Sequence, residues 1–201
     1  MEVIAWIMAV LGCGTDLWLA RRPPLLLTGV ALRVYAVTAF ALHLTATLCS
    51  FSDGTPLFQQ ALWLFMFGTL FLMSATDLRE KMVYDIHSGA LLAGGAVCAL
   101  TAQGGIAFGR YIFCVAVSGV LFFVMRGKLQ LGAGDSRAIA ALTLYFPLSA
   151  WMEVMILALG TAGLYGILKI ILRKGTVKTE MAFMPFLLGS ALVERIIDAV
   201  G

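Results

Sequence analysis

The stretch LFQQALWLFMFGTLFLMSAT, residues 57–76, is twenty residues long and contains no charged side chain. A helix needs about 20 consecutive, mainly apolar residues to cross the hydrocarbon core of a bilayer. The charged segment DLREK, residues 77–81, follows it directly. The pattern therefore predicts a membrane-spanning helix that ends beside Asp77.

Apolar stretches of this kind recur along the whole chain. Of its 201 residues, 61% are hydrophobic and 12% are charged, and the mean hydropathy is +0.97. Soluble domains average about 45–50% apolar and about 25% charged residues. Outer-membrane barrels would show alternating strands of about ten residues, which these unbroken runs do not. The sequence predicts an all-α membrane protein, and its further candidate spans are 3–19, 25–49, 86–103, 106–125, 138–150, 151–172 and 181–199.

The positions of the basic residues favour eight transmembrane helices with the N-terminus outside. On that topology Arg110 and Arg195 fall outside and Arg33 lies within the second span, while the other eleven of the 14 basic residues fall on the cytoplasmic side. Such an excess of cytoplasmic cations is typical of membrane proteins. The segment 138–150 is short for a span, but a re-entrant segment there would place RKGTVK, residues 173–178, on the opposite side. We therefore count it as a span.

Two aspartates, Asp77 and Asp135, fall at cytoplasmic ends of predicted spans, whereas Asp53 falls at the other face. Acidic residues in or near spans are energetically costly and usually mark function. Two carboxylates brought close together share one proton. The ionised member can then activate water and the protonated member can donate to a peptide carbonyl. Gly132 and Gly134, in the sequence GAGD, would let another backbone approach closely.

Each aspartate also has a structural interpretation. Asp135 suits the N-cap of the helix that follows it, and Asp77 suits an ion pair with Arg79 or Lys81 in the headgroup region. The four cysteines all lie in apolar runs without a C-x-x-C pair. They predict neither a disulfide nor a zinc site, and we expect no metal or other cofactor. From these residues alone, catalysis, capping and ion pairing stay open.

Three segments together resemble the type IV prepilin peptidase family. GKLQLGAGDSRAIAAL (127–142) resembles its G-x-G-D segment, in which a basic residue, here Arg137, commonly stands two residues after the aspartate. DLREKMVYD (77–85) is similar to its Asp-Leu-Arg stretch, and MAFMPFLLGSAL (181–192) is similar to the Pro-Phe-Leu segment that opens its last span, with Pro185 retained. The resemblance covers roughly residues 57–199.

The resemblance implies an intramembrane aspartic endopeptidase with Asp77 and Asp135 as its catalytic pair. It implies a six-helix catalytic core over 57–201, preceded by two extra transmembrane helices over 1–56. The expected partners are leader peptides of prepilins or pseudopilins, cut at the cytoplasmic face of a prokaryotic inner membrane, together with the lipid bilayer and no nucleic acid. Gly132, Gly134, Arg137 and Pro185 are expected to support the site. The oligomeric state stays open.

The sequence departs from the family pattern in three places. Tyr84 stands where the family has a proline, so the helix break after Asp77 must arise in another way. Ala182 stands where the first proline of the last motif is common. Only ARRPP separates the first two predicted spans, where larger members carry a cytoplasmic domain often containing zinc-type C-x-x-C pairs. Peptidase activity without N-methyltransferase activity is therefore expected.

Asp85 raises a competing interpretation, because presenilin-type proteases pair a Tyr-Asp with a G-x-G-D motif. Eight residues along a helix amount to about 80° of rotation and about 12 Å of rise, so Asp85 cannot replace Asp77. We expect Asp85 to help cap the fourth span. Two further hypotheses remain: a noncatalytic transporter or membrane scaffold, and a presenilin-like protease that acts on other substrates.

Overall fold

Seven α-helices form the part of the chain that the structure describes, and this part contains no β-strand. The computed structural model describes residues 29–52, 56–101, 106–126, 132–172 and 181–200. In chain order the helices are α1 (Gly29–Ser52), α2 (Leu57–Glu80), α3 (Asp85–Thr101), α4 (Ile106–Arg126), α5 (Ala133–Tyr145), α6 (Leu148–Ile171) and α7 (Met184–Val200). The prediction of an all-α protein is confirmed. The first predicted span, 3–19, lies outside the described residues, and the eight-span topology with an outer N-terminus stays a prediction.

Two of the helices, α2 and α6, are long and apolar enough to cross a membrane. Most of α2 is buried by its neighbours, whereas α6 has only four buried residues and presents large apolar side chains at its surface. A soluble monomer rarely exposes so much contiguous apolar surface. Lipid would cover that surface, and the intrahelical hydrogen bonds satisfy the backbone there.

The short predicted span 138–150 has different limits in the structure. Helix α5 begins at Ala133 and ends at Tyr145, so it includes Asp135 in its first turn. The break falls at Phe146, whose extended backbone (φ −98°, ψ 145°) precedes Pro147. A residue before proline is disfavoured in the helical region, which explains why the chain starts a new helix at Leu148. The predicted span was wrong at its C-terminal end because it ran across this break, and wrong at its N-terminal end because the helix already begins within GAGD, at Ala133.

Helix α2 packs against α1, α3 and α7, and α5 packs between α3 and α4. The contact between α3 and α5 depends on two glycines. A Cβ added at Gly94 would lie 2.4 Å from the Tyr145 hydroxyl, and one at Gly95 would lie 2.9 Å from Leu144 Cβ. The Tyr145 hydroxyl donates to the Leu91 carbonyl oxygen over 3.1 Å. This close approach fixes α5 against α3, which is joined to the end of α2 by a four-residue loop.

Candidate active site

Asp77 and Asp135 line the same cavity, at the place where the end of α2 meets the start of α5. The cavity has a volume of about 410 Å³. Its wall consists of the end of α2 with the loop that follows it, the glycine-rich start of α5, and one residue ahead of α7. The lining residues are Asp77, Lys81, Met82, Val83, Gly132, Ala133, Gly134, Asp135 and Met181.

Asp77 lies in the last turn of α2 and is buried, with 6% of its surface exposed. Its carboxylate oxygen Oδ2 accepts a hydrogen bond of 3.0 Å from the backbone N–H of Met184, the first residue of α7. The positive charge of Lys81 also acts on the Asp77 carboxylate. Burial opposes ionisation of Asp77, whereas the N–H donor and the lysine charge favour it.

Helix α2 ends without the proline that the family pattern has at position 84. Lys81 adopts a left-handed conformation (φ 56°, ψ 30°), and its N–H donates to the Asp77 carbonyl oxygen over 3.0 Å. Such a residue is a common C-terminal cap of helices. The Tyr84 hydroxyl then donates to the Glu80 carboxylate over 2.5 Å, which holds the loop 81–84 against the helix end. A lysine cap and a tyrosine hydrogen bond therefore make the break.

Asp135 is half-buried in the first turn of α5, ahead of the apolar segment 138–150. Burial raises the pKa of Asp135 to about 6, and the negative charge of Asp77 adds to this increase. The Asp77 charge acts on Asp135 across the cavity that both residues line. When two such groups interact strongly, the apparent pKa values measured by titration describe the pair rather than either residue.

The two glycines of GAGD lie in the cavity wall. A Cβ added at Gly134 would stand 2.4 Å from the Cβ of Val83, so only glycine lets the loop 81–84 reach the start of α5. A Cβ at Gly132 would stand 2.9 Å from Asp135 Oδ2. Because real Cβ atoms do not approach so closely, side chains at either position would displace the loop or the carboxylate.

Arg137 and Asp85 lie outside the cavity wall and form an ion pair with each other. The pair joins the start of α3 to the start of α5, and most of the Asp85 side chain is exposed to solvent. Arg137 faces a second cavity of about 350 Å³ between α3, α4 and α5. The structure therefore places Asp85 in a contact that steadies α5, away from the two other aspartates.

Pro185 also lies outside the cavity. It is the second residue of α7 and borders an apolar groove of about 280 Å³ between α6 and α7. The N–H groups of a first helical turn have no partner within the helix, so proline is tolerated there. Pro185 thus helps to begin the helix whose first N–H, that of Met184, reaches Asp77.

Several residues of the site escaped sequence reasoning. The sequence indicates Lys81 only as an ion-pair partner for Asp77, and it gives Met82, Val83, Met181 and Met184 no role at the site. Their one sequence signal is position, because they lie within six residues of Asp77 or Pro185. Among the described residues, no three His, Cys, Asp or Glu side chains are grouped so that they could hold a metal ion.

Comparison with known proteins identifies one family. A model described as the Type IV leader peptidase family matches residues 64–167, which is just over half of the chain. The match includes Asp77, Asp135 and the loop 81–84, and it ends before α7. No curated protein and no solved structure gives a significant match.

Proposed function

The chain belongs to the type IV leader peptidase family, and we propose that it is an intramembrane aspartic endopeptidase that cleaves leader peptides from prepilins or pilin-like proteins. The family is membrane-embedded, and the apolar helices α2 and α6 agree with that setting. The single observation that carries the proposal is the cavity lined by both Asp77 and Asp135. Two carboxyl groups that share a proton supply the base and the acid that an aspartic peptidase uses to hydrolyse a peptide bond.

In the proposed reaction one carboxyl group of the pair is ionised and the other is protonated. The ionised group takes a proton from a water molecule, whose oxygen attacks the carbonyl carbon of the scissile peptide bond. The protonated group donates its proton to the carbonyl oxygen, which gives a neutral tetrahedral diol. When the C–N bond breaks, the leaving nitrogen takes a proton from the first group and a diol hydroxyl returns its proton to the second. The pair is then restored.

The proposed substrate approaches from the cytoplasmic face of the membrane. The charge distribution favours that side for the loops after α2 and before α5. The cavity is open to solvent and is wide enough at about 410 Å³ for a short peptide segment. Gly132 in its wall is exposed just before α5, where an extended leader would have to lie beside Asp135. We propose peptidase activity without N-methylation.

The test uses the full chain in proteoliposomes with a fusion substrate that carries a basic leader ending in glycine, followed by an apolar helix. We expect Asp77→Asn and Asp135→Asn each to abolish leader removal, measured by mass spectrometry, because each removes one proton-transfer group. Asp198→Asn is the matched control. It lies fourteen residues along α7 from Met184, about 21 Å by helical rise, and pairs with Arg195.

Cleavage by either aspartate variant at the wild-type rate would refute the hypothesis that Asp77 and Asp135 form a catalytic pair. Purified wild-type protein that does not cleave, but shows cation uptake or binding dependent on Asp77, would instead support the transporter hypothesis. Both variants must accumulate in the membrane and melt no lower than the control for the comparison to hold. Asparagine matches aspartate closely in volume, so the fold is expected to persist.

A further inference from the structure

Lys81 combines two unusual features in the described part of the chain. It is the non-glycine residue there with a positive φ, 56°, and it lines the cavity that holds both aspartates. Left-handed backbone is unfavourable for a residue with a Cβ, and glycine or asparagine is commoner at this capping position. Strained residues cluster at functional sites. A lysine kept at a position that suits glycine therefore points to a use for its side chain.

The two aspartates differ in how far their surroundings stabilise a charged carboxylate. Asp77 accepts a backbone N–H from Met184 and interacts with the positive charge of Lys81, and both stabilise a carboxylate. Among the described residues no cation acts on Asp135, which experiences burial and the negative charge of Asp77. Arg137, only two residues further on, is directed to Asp85 instead. Burial disfavours charge on both carboxyl groups, but only Asp77 has contacts that oppose this effect, so Asp77 ionises more readily than Asp135.

We propose that Lys81 is a positioning residue that keeps Asp77 as the ionised member of the pair, so that Asp77 serves as the base and Asp135 as the acid. This inference rests on the proposed function and assigns separate roles within it. The left-handed cap turns the chain at the end of α2, where the Lys81 N–H donates to the Asp77 carbonyl oxygen and both residues line the cavity. The lysine would then act on the reaction through Asp77.

The groups that face Asp77 from each side can be named. Asp135 faces it from α5, Lys81 from its own helix end, and backbone N–H groups of Phe183 and Met184 from the start of α7. The described parts of α1 and α3, which also pack on α2, supply no charged group that acts on it. Lys81 is thus the cation whose removal should change the titration of Asp77.

The competing interpretation is that Lys81 only caps α2, where a cation also interacts favourably with the helix dipole. Lys81→Asn separates these roles, because asparagine tolerates the left-handed conformation but carries no charge. Lys81→Gly relieves the backbone strain completely. Lys81→Arg keeps the positive charge. Lys169→Asn, near the end of α6 and outside the cavity wall, controls for the loss of one lysine.

The experiment measures kcat/KM against pH with the fusion substrate described above. We expect the acid limb of the profile to move to higher pH by about half a unit or more in Lys81→Asn and Lys81→Gly, because an ionised Asp77 loses its neighbouring cation. Lys81→Arg should bring the limb back towards its wild-type position, and Lys169→Asn should not move it. Lys81→Gly should also melt at the wild-type temperature or above.

An unmoved acid limb in Lys81→Asn and Lys81→Gly would overturn the inference and leave Lys81 as a cap. An increase in KM without a change in the limb would also overturn it, since Lys81 would then contact the substrate directly. In either case the proposed function stands if Asp77→Asn and Asp135→Asn are inactive. Activity in those aspartate variants would refute the pair itself, so the two failures are distinguishable.

Discussion

The backbone N–H of Met184 donates a hydrogen bond of 3.0 Å to the carboxylate of Asp77, although the two residues lie 107 positions apart in sequence. Met184 is the first residue of α7, so its N–H has no partner inside that helix. The bond therefore gives this N–H an acceptor and gives the buried carboxylate of Asp77 a donor. It also connects the end of the chain to the cavity between α2 and α5.

Met184→Pro should remove this bond while allowing α7 to begin normally, because proline suits the first position of a helix. Met184→Ala is the matched variant, since it loses the same buried side chain but keeps the N–H. A hydrogen bond to a charged group contributes about 1.5–3 kcal/mol. We expect kcat/KM of Met184→Pro to be about tenfold or more below that of Met184→Ala. Equal values in the two variants would mean that the bond does not support the reaction.

Gly134→Ala should push the loop 81–84 away from α5, because the new Cβ would stand 2.4 Å from Val83 Cβ. Such overpacking typically costs about 1–3 kcal/mol. We expect a lower melting temperature in detergent and a loss of peptidase activity of about tenfold or more. Gly160→Ala on α6 is the control, because no atom lies within 4 Å of its added Cβ.

Val83→Gly should partly rescue Gly134→Ala, because it removes the atom that the new methyl group meets. Val83→Ala should not, since it keeps the Cβ. Measuring both double variants in the same cleavage assay separates this specific contact from a general effect of alanine in α5. Equal rescue by the two would contradict the geometry.

The Asp85–Arg137 ion pair should affect activity by holding the starts of α3 and α5 together, although it contributes little to the free energy of unfolding. Both side chains are substantially exposed, and exposed pairs typically contribute about 0.2–1 kcal/mol. Asp85→Asn and Arg137→Gln should therefore change melting temperature little. Arg137→Asp should lower activity several-fold, because two like charges would separate the starts of α3 and α5. The reversed pair, Asp85→Arg with Arg137→Asp, should recover activity; a double variant no better than Arg137→Asp would refute the pairing.

Protonation of Asp135 should make stability depend on pH. Burial raises its pKa to about 6, well above the usual range of an aspartate, so the folded state holds the proton more tightly than the unfolded state. The contribution of Asp135 to the free energy of unfolding is therefore fully present at low pH, and it is lost as the pH rises from about 4 to about 6. Asp135→Asn has no charge to bury, so it should melt a few degrees above wild type at pH 7.5.

That difference should shrink towards zero near pH 4, where Asp135 is neutral in both states. The measurement is thermal unfolding of both proteins in the same detergent across this pH range. A constant difference at every pH would show that the effect comes from packing rather than from ionisation. A lower melting temperature for Asp135→Asn at pH 7.5 would contradict the burial of the charge.

The order of the helices was accessible from the sequence because long apolar runs and their charged breaks depend on local composition. The runs 57–76 and 106–125 correspond closely to α2 and α4. The predicted limit of the span 138–150 was wrong because apolar character continues across Phe146 and Pro147, where backbone geometry rather than hydrophobicity ends the helix. The charge pattern also indicated that Asp77 and Asp135 lie at the same face, and the structure brings both to one cavity.

What the sequence by itself determined is an all-α chain with two aspartates at the ends of apolar helices, since composition and periodicity are properties of each segment alone. Only the tertiary structure decided which groups surround those aspartates. The Met184 N–H bond to Asp77 and the Val83 contact with Gly134 depend on how each helix is rotated and how each loop turns. These long-range contacts arise from packing between distant segments, and no local pattern encodes them.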